Sequence, residues 1–491
     1  MRFLPDGDSM KAADKDTIEN LGIPSLELME RAARSCIDSM KKEKLDFTDV
    51  LIVCGSGNNG GDGYTICKYL KDYTFKILPI DGEPISNEAI YASKQIDSKY
   101  IYSYKQEYID QADLIIDAVY GFSYHGELKK NIRDIFRYIN QSNKTVYSID
   151  INSGAEADSD YHDLDAIHST ITFALDCYKP FHMLQKEHQL FDTCELIDLH
   201  LPHTIPTKYY EMNEERFFSL FPKKPVNAYK GTYGKTYLVG GSYGCAGALS
   251  LNIIGAKTVG TPYINVSCPD EIYPIAAAHH ITPVFHPFNY NNYEEKLYPR
   301  IKEAKAIAFG SGAVCMPRKV ECMDMILQES TKPVILDAEA LRLLVKNTWI
   351  LRFVNCPVII TPHLGEFASI CNQPIEVIKD HKLEYAKQFA RKNKVYVVLK
   401  GPNTIVVSPN EDVYINQSGN QSLAQAGSGD LLVGILAGIL TMTTDIFHAL
   451  CMGVWLHGYL ADYGNKIYSR QSFPIEKYPE IMNEVFKNHG F

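Results

Sequence analysis

Residues 426–430 read Ala-Gly-Ser-Gly-Asp, and the run after them, Leu431 to Leu440, is apolar with small residues at Gly434, Ala437 and Gly438. The pattern predicts a buried helix whose first turn is built of glycines and whose small positions let another backbone approach closely. Such a helix start presents unpaired N–H groups and the positive end of the helix dipole, which together favour an anion. Asp430 adds a carboxylate to the same turn, where a bound anion would repel it. That placement suits proton transfer, such as taking the proton from a hydroxyl that attacks a phosphoryl group. Taken alone, the stretch also fits a plain helix start with an acidic cap residue.

A second group lies near the other end of the chain. Asp49 to Cys54 is a short apolar strand that runs into Gly55-Ser56-Gly57-Asn58-Asn59-Gly60-Gly61-Asp62-Gly63, and Tyr64 to Leu70 reads as helical. Strand, glycine loop and helix form a Rossmann-like arrangement, with the ligand at the carboxyl end of the strand. The two Asn and the Asp inside the loop offer oxygens that suit a cation or a ribose as well as a phosphate. Two further predicted strands, 112–120 and 144–151, carry Asp117 and Asp150 near their ends. Carboxylates at the ends of successive parallel strands converge on one crevice. Asp150, where a strand stops and a Ser-Gly turn begins, is the better catalytic candidate. Asp117 fits turn capping or cation binding, and His125 reads as a loop histidine.

These groups need two scaffolds. The 491 residues exceed one ordinary core, and 45% hydrophobic with 22% charged residues is a soluble globular composition. The net charge of −10 argues against a general nucleic-acid binder. Twelve cysteines without a CxxC pair, and no signal peptide, are expected of a reduced cytoplasmic protein, and the 431–440 run is too short to cross a bilayer. Prolines at 202, 206, 222 and 225 flank a polar segment, placing a domain boundary near 211. Beyond it, short apolar strands again end in polar and glycine residues: 305–309 before Gly310-Ser311-Gly312, 333–337 ending in Asp337, 357–361 before Pro362-His363-Leu364-Gly365-Glu366, and 395–400 before Gly401-Pro402-Asn403-Thr404. The expected fold is α/β in two domains, an N-terminal Rossmann-like three-layer sandwich over 1–210 and a second α/β domain over 211–491.

The loop CGSGNNGGDGY, with DAVYGFSYHG, SIDINSG and the opening IPSLELMERAA, resembles the NAD(P)H-hydrate epimerase domain of the YjeF N-terminal type. The resemblance implies that Asn58, Asn59, Gly60, Gly61 and Asp62, with Gly121, Phe122, Ser123, Tyr124, His125, Gly126 and Glu127, hold the hydrated nucleotide. It implies a potassium ion held by Asn59, Asp117 and Ser153, and Asp150 as the acid/base on the substrate. Asn152 stands where the family usually has Pro, and losing proline's fixed φ is expected to loosen that turn.

The second half, through KGTYGKTYLVGGS, GSG at 310–312, LDAEAL, TPHLGEF, LKGPNT and LAQAGSGD, resembles the ribokinase-like superfamily and within it the NAD(P)H-hydrate dehydratases. Tyr229 departs from the family's usual His. The resemblance implies an adenine nucleotide on Lys400, Gly401, Pro402, Asn403, Thr404 and Gly429, and the hydrated substrate on Ala248, Gly312, His363 and Asp430. The implied chemistry is repair: R and S hydrates of NADH and NADPH (NADHX and NADPHX) interconvert on the first domain. The second dehydrates the S epimer with ADP and magnesium, releasing AMP and phosphate. A homo-oligomer is expected, with neither a nucleic-acid nor a membrane partner. The alternative is a ribokinase-like small-molecule kinase fused to a non-catalytic binding domain, such as a scaffold.

Overall fold

The computed structural model describes residues 4–42, 47–70, 72–185, 189–203 and 205–491. The chain divides into two compact units, Met1–Tyr209 and Tyr210–Phe491.

In the first unit, strands β1 (Asp49–Cys54), β2 (Thr74–Pro79), β3 (Leu114–Ala118), β4 (Thr145–Ile149), β5 (Ser169–Leu175) and β6 (Phe191–Ile197) form one sheet in the order β2-β1-β3-β4-β5-β6. All five pairings are parallel. Such strands are buried on both faces and read as continuous apolar runs. Val50 and Ile52 of β1 face the helices Ser25–Lys42 and Asn58–Cys67, whereas Leu51 and Val53 face Ile132, Ile135 and Phe136 of the helix Lys130–Gln141. The result is the expected three-layer sandwich.

The glycine loop is shorter than the sequence predicts. The helix begins at Asn58, not Tyr64, so Asn-Asn-Gly-Gly-Asp-Gly forms its first turns. The physical reason is close packing on the sheet. A Cβ at Gly60 would collide with the Gly55 carbonyl, and one at Gly63 would stand 2.8 Å from Ala118 Cβ and Cys54 Sγ. The predicted strands are also trimmed, so Asp117 lies within β3 and Asp150 directly after β4.

The second sheet comprises β7 (Tyr209–Tyr210), β8 (Thr236–Val239), β9 (Ile264–Ser267), β10 (Val284–Phe285), β11 (Ala306–Phe309), β12 (Val334–Leu336), β13 (Val358–Ile360), β14 (Tyr396–Leu399), β15 (Ile405–Val407) and β16 (Val413–Ile415). Its order is β10-β9-β8-β11-β12-β13-β14-β15-β16-β7. The pairings from β10 to β14 are parallel, and β14, β15 and β16 turn antiparallel. The helix Ser428–Leu440 is buried along most of its length against the helix Ala246–Thr258. A Cβ at Gly434 would collide with the Asn252 carbonyl and one at Gly255 with the Leu431 carbonyl, so backbone meets backbone there, as the small residues predict. Among the described residues no helix is long and apolar enough to cross a membrane.

Candidate active sites

In the first unit, β4 ends at Ile149 and the next residue, Asp150, takes a left-handed backbone with φ 66°. A non-glycine residue persists there only when its surroundings hold it. Here they do. Asp150 N–H donates to the Phe173 carbonyl at 2.8 Å, and the His182 ring Nε2 lies 2.7 Å from the Asp150 carbonyl. Its carboxylate accepts from Lys179 Nζ on Oδ1 at 2.6 Å and from Phe122 N–H on Oδ2 at 3.0 Å. Lys179 and Asp150 are both buried, and the Lys179 ammonium also donates to the Leu175 carbonyl at 2.7 Å. Burial alone would pull the Lys179 ammonium down, but Asp150 outweighs it and lifts the group to about 12. Burial and then Lys179 push the His182 imidazole down to about 4. Its Nδ1 accepts from Lys179 N–H at 2.9 Å, so the proton of the neutral ring sits on Nε2 and donates to Asp150.

Asp150 opens on a cavity of about 870 Å³. Asn58, Asn59, Asp62, Gly121, Phe122, Ser123, Tyr124 and His125 line it, together with Lys179 and Asp14. Gly60, Gly61, Gly126 and Glu127 are not in its wall. Gly60 and Gly61 are buried packing positions, and Gly126 N–H is taken by Glu156 Oε1 at 3.0 Å. Asp62 is pushed well above the carboxylate range by burial, then by Asp150 and Asp14.

Asp117 and Ser153 meet: Ser153 Oγ donates to Asp117 Oδ1 at 2.5 Å, and Ser153 N–H and Ser148 Oγ reach Oδ2 at 3.0 and 2.9 Å. Asn59 is buried with neither amide atom hydrogen-bonded, while it stands beside Gly121 at the cavity. An orphaned amide oxygen, a carboxylate and a hydroxyl are a hard oxygen donor set of the kind an alkali cation accepts.

The expected loosening at Asn152 is corrected. Its side chain is fully buried, with Nδ2 at 2.9 Å from the Ile167 and Leu190 carbonyls and 3.0 Å from Ser169 Oγ, while Oδ1 accepts from Thr172 Oγ1 at 2.6 Å. These bonds anchor the turn that carries Asp150 and Ser153. Fixing φ was the wrong quantity to compare, because side-chain bonds replace it.

In the second unit, Gly427 caps the helix Ser428–Leu440 with φ 91°, which places Gly429 and Asp430 in its first turn. Burial first, and then Asp337, raises the Asp430 carboxyl to about 6, against a hydrogen bond from Ser311 and the charge of Lys400. Asn252 Nδ2 fixes this turn by donating to the Asp430 carbonyl at 2.7 Å. Lys400, at the end of β14, is a part-buried ammonium donating to Asp337 Oδ1 at 2.9 Å, not a solvated surface lysine. A Cβ at Gly429 would lie 3.2 Å from Lys400 Nζ, so the ammonium stands directly over the glycine turn.

His363 caps the helix Leu364–Cys371. Its Nδ1 accepts from Gly365 and Glu366 N–H, and Glu366 Oε2 accepts from His363 N–H, a reciprocal capping box on an exposed histidine whose Nε2 stands 3.5 Å from Glu366 Oε2. Gly312, with φ 66°, sits against Ala248, since a Cβ on it would lie 3.0 Å from Ala248 Cβ. Of the loop after Lys400, Gly401 and Pro402 are exposed, and Thr404 Oγ1 closes the turn on Gly401. Asn403 is buried, with Nδ2 bonded to the Asn416 carbonyl at 3.2 Å. Tyr229 is exposed.

Lys179, His182, Asp337, Ser311 and Asn252 complete these sites without having been predicted to. Lys179-Pro180 directly after a strand, and the acid ending 333–337, were the available signals. Neither reveals its partner in sequence.

The family profile described as NAD(P)H-hydrate dehydratase matches residues 236–476, and the one described as YjeF-related protein N-terminus matches 25–181. The chain is 28% identical to the bifunctional NAD(P)H-hydrate repair enzyme Nnr of Moorella thermoacetica over 94% of this chain and 92% of the relative. It is 31% identical to the ADP-dependent (S)-NAD(P)H-hydrate dehydratase of Bacillus subtilis, over 56% of this chain and 96% of that one. A crystal structure of the ADP/ATP-dependent NAD(P)H-hydrate dehydratase from Bacillus subtilis, co-crystallised with ATP and Mg2+, superposes with TM-score 0.50 at 29% identity, covering 56% of this chain and 97% of that one. With its second unit matched along nearly the whole of a dehydratase and both profiles present on one chain, this protein belongs to the family of bifunctional NAD(P)H-hydrate repair enzymes.

Proposed function

We propose that the chain restores hydrated reduced nicotinamide cofactors, with the first unit interconverting the R and S hydrates and the second dehydrating the S epimer with ADP. The observation that carries the reading is Asp430. It is a carboxyl held near neutrality, in the first turn of a glycine-started helix, with Lys400 over that turn. A group titrating near the working pH is suited to take a hydroxyl proton. The helix start and the ammonium stabilise the charge that develops on the phosphate.

In the second unit Asp430 takes the proton of the C6 hydroxyl as that oxygen attacks the terminal phosphorus of ADP, and AMP leaves. Phosphate then departs from C6 with the C–O electrons, a proton leaves C5, and the double bond returns. Ala248, Gly312 and the exposed His363 border the substrate, and Gly401, Pro402 and Thr404 border the nucleotide. Magnesium, when present, neutralises phosphate charge. In the first unit Asp150, bonded to Lys179, exchanges a proton at the C6 hydroxyl. Potassium would be held by Asn59, Asp117 and Ser153 and would neutralise charge there.

The test is recovery of reduced-nicotinamide absorbance from mixed R and S NADHX with ADP, magnesium and potassium. Full recovery with AMP and phosphate formed supports both activities. Recovery of the S fraction alone removes the epimerase, and a stable phosphorylated product in place of NADH makes the second unit a kinase.

A further inference from the structure

The cavity of the first unit holds another carboxyl group beside those already discussed. Asp14 lies on the helix Gly7–Glu19, and Met10, Asp14 and Ile18, spaced four apart, line the same cavity as Asp150 and Lys179. The helix is fastened in place. Asp6 caps it by accepting from Ser9 N–H at 2.9 Å, Gly7 N–H donates to Asp158 Oδ1 at 2.5 Å, and Cys177 Sγ stands 3.6 Å from Met10 Sδ. A carboxyl between two apolar neighbours on a held helix face is thus aimed into a binding cavity. No hydrogen bond or ion pair to the Asp14 carboxylate is found among the described residues. The charged groups facing it are Lys179, Asp150, Asp176 and His203. Burial raises it to about 6, Lys179 and His203 pull it down, and Asp150 and Asp176 push it up. Two of the cavity's acids therefore have opposite environments: Asp150 is locked to an ammonium, and Asp14 has no cation bonded to it among the described residues.

We propose that Asp14 is the second proton-transfer group of the epimerisation, acting on one ring face at C6 while Asp150 acts on the other. The inference rests on the epimerase reading above. Inversion at C6 requires the C–O bond to break and to form again on the opposite face, and with the rest of the nucleotide held, one carboxyl cannot serve both faces. In one direction protonated Asp14 gives its proton to the C6 hydroxyl. The C6–O electrons leave with water, and the ring nitrogen's lone pair forms the N1–C6 iminium. Water adds to C6 from the other face, its lone pair forming the C6–O bond while the N1–C6 π electrons return to N1 as its lone pair, and Asp150 carboxylate takes the water's proton. Asp14 ends ionised and Asp150 protonated, which is the state the reverse direction starts from. One proton is shared by the pair throughout.

The experiment follows pure (R)-NADHX in oxygen-18 water, reading both epimer ratio and label at C6, for the full chain and for Asp14→Asn and Asp14→Glu. The intact protein epimerises with label entering C6. Its rate falls at high pH, where Asp14 loses the shared proton. Asp14→Asn lowers kcat by about 100-fold or more with KM little changed and removes the alkaline fall. Asp14→Glu restores part of the rate and that limb. Chemical denaturation of each variant reports whether its first unit is folded, and dehydration of pure S hydrate by the second unit serves as the internal activity reference. Asp14→Asn with the original kcat and pH profile, or epimerisation without label, overturns the proposal while leaving the epimerase intact. An intact protein that does not epimerise overturns the epimerase reading itself.

Discussion

Lys179 Nζ donates to Asp150 Oδ1 at 2.6 Å, and the two residues follow consecutive parallel strands, β4 and β5. One strand end supplies the carboxylate and the next supplies the ammonium bonded to it. Removing one member of a buried pair leaves the other charge unpaired, at about 3–5 kcal/mol. Lys179→Met is therefore expected to lower the stability of the first unit and to slow epimerisation by about 100-fold or more. Dehydration of the S epimer continues. An unchanged epimerisation rate in this variant would show that the ion pair has no part in the reaction.

The dehydratase rate is set by the protonation of Asp430. A base must be ionised to act, so with its carboxyl raised to about 6 the rate climbs as pH rises through that value and is level above it. A general acid would give the reverse slope. Asp430→Asn removes the base, with an expected loss of about 10²–10⁴-fold in dehydration and no change in epimerisation. Equal loss of both activities would contradict two independent sites.

Gly429 leaves room for an anion below Lys400. In Gly429→Ala the new Cβ stands 3.2 Å from Lys400 Nζ and fills part of that space. The expected result is a rise of about tenfold in KM for ADP, equivalent to ~1.4 kcal/mol. Steady-state kinetics at saturating S hydrate measure it, and an unchanged KM would place the phosphates elsewhere.

Asn152 holds the Asp150 turn through its side chain. Asn152→Ala leaves the buried Ile167 carbonyl short of a donor, while Leu190 keeps its bond from Ser169 N–H, and costs about 1–3 kcal/mol, read by chemical denaturation. Asn152→Pro is expected to be no better, since proline supplies none of those bonds. A stability gain in the proline variant would mean that backbone rigidity outweighs the buried network.

Several features were legible without coordinates because they are local. The apolar runs at 49–54 and 358–360 must be strands buried on both faces, and the glycine at 427 opens a helix because few residues take its left-handed backbone so cheaply. Asp150 and Asp430 were recognisable by their place at a strand end and a helix start. Gly434 correctly marked a close approach. Local pattern failed where packing across the sheet decides. The helix at Asn58 starts early because its glycines fit against β1 and β3, and Asn152 is an anchor because acceptors at 167 and 190 happen to surround it. The same holds for the partners of the catalytic groups. Lys179 is 29 residues from Asp150 and Lys400 is 63 from Asp337, and nothing in either local sequence names the other. The order of the parallel strands brings their ends together. Burial then turns a lysine that local composition would leave in water into the counter-charge of a catalytic acid.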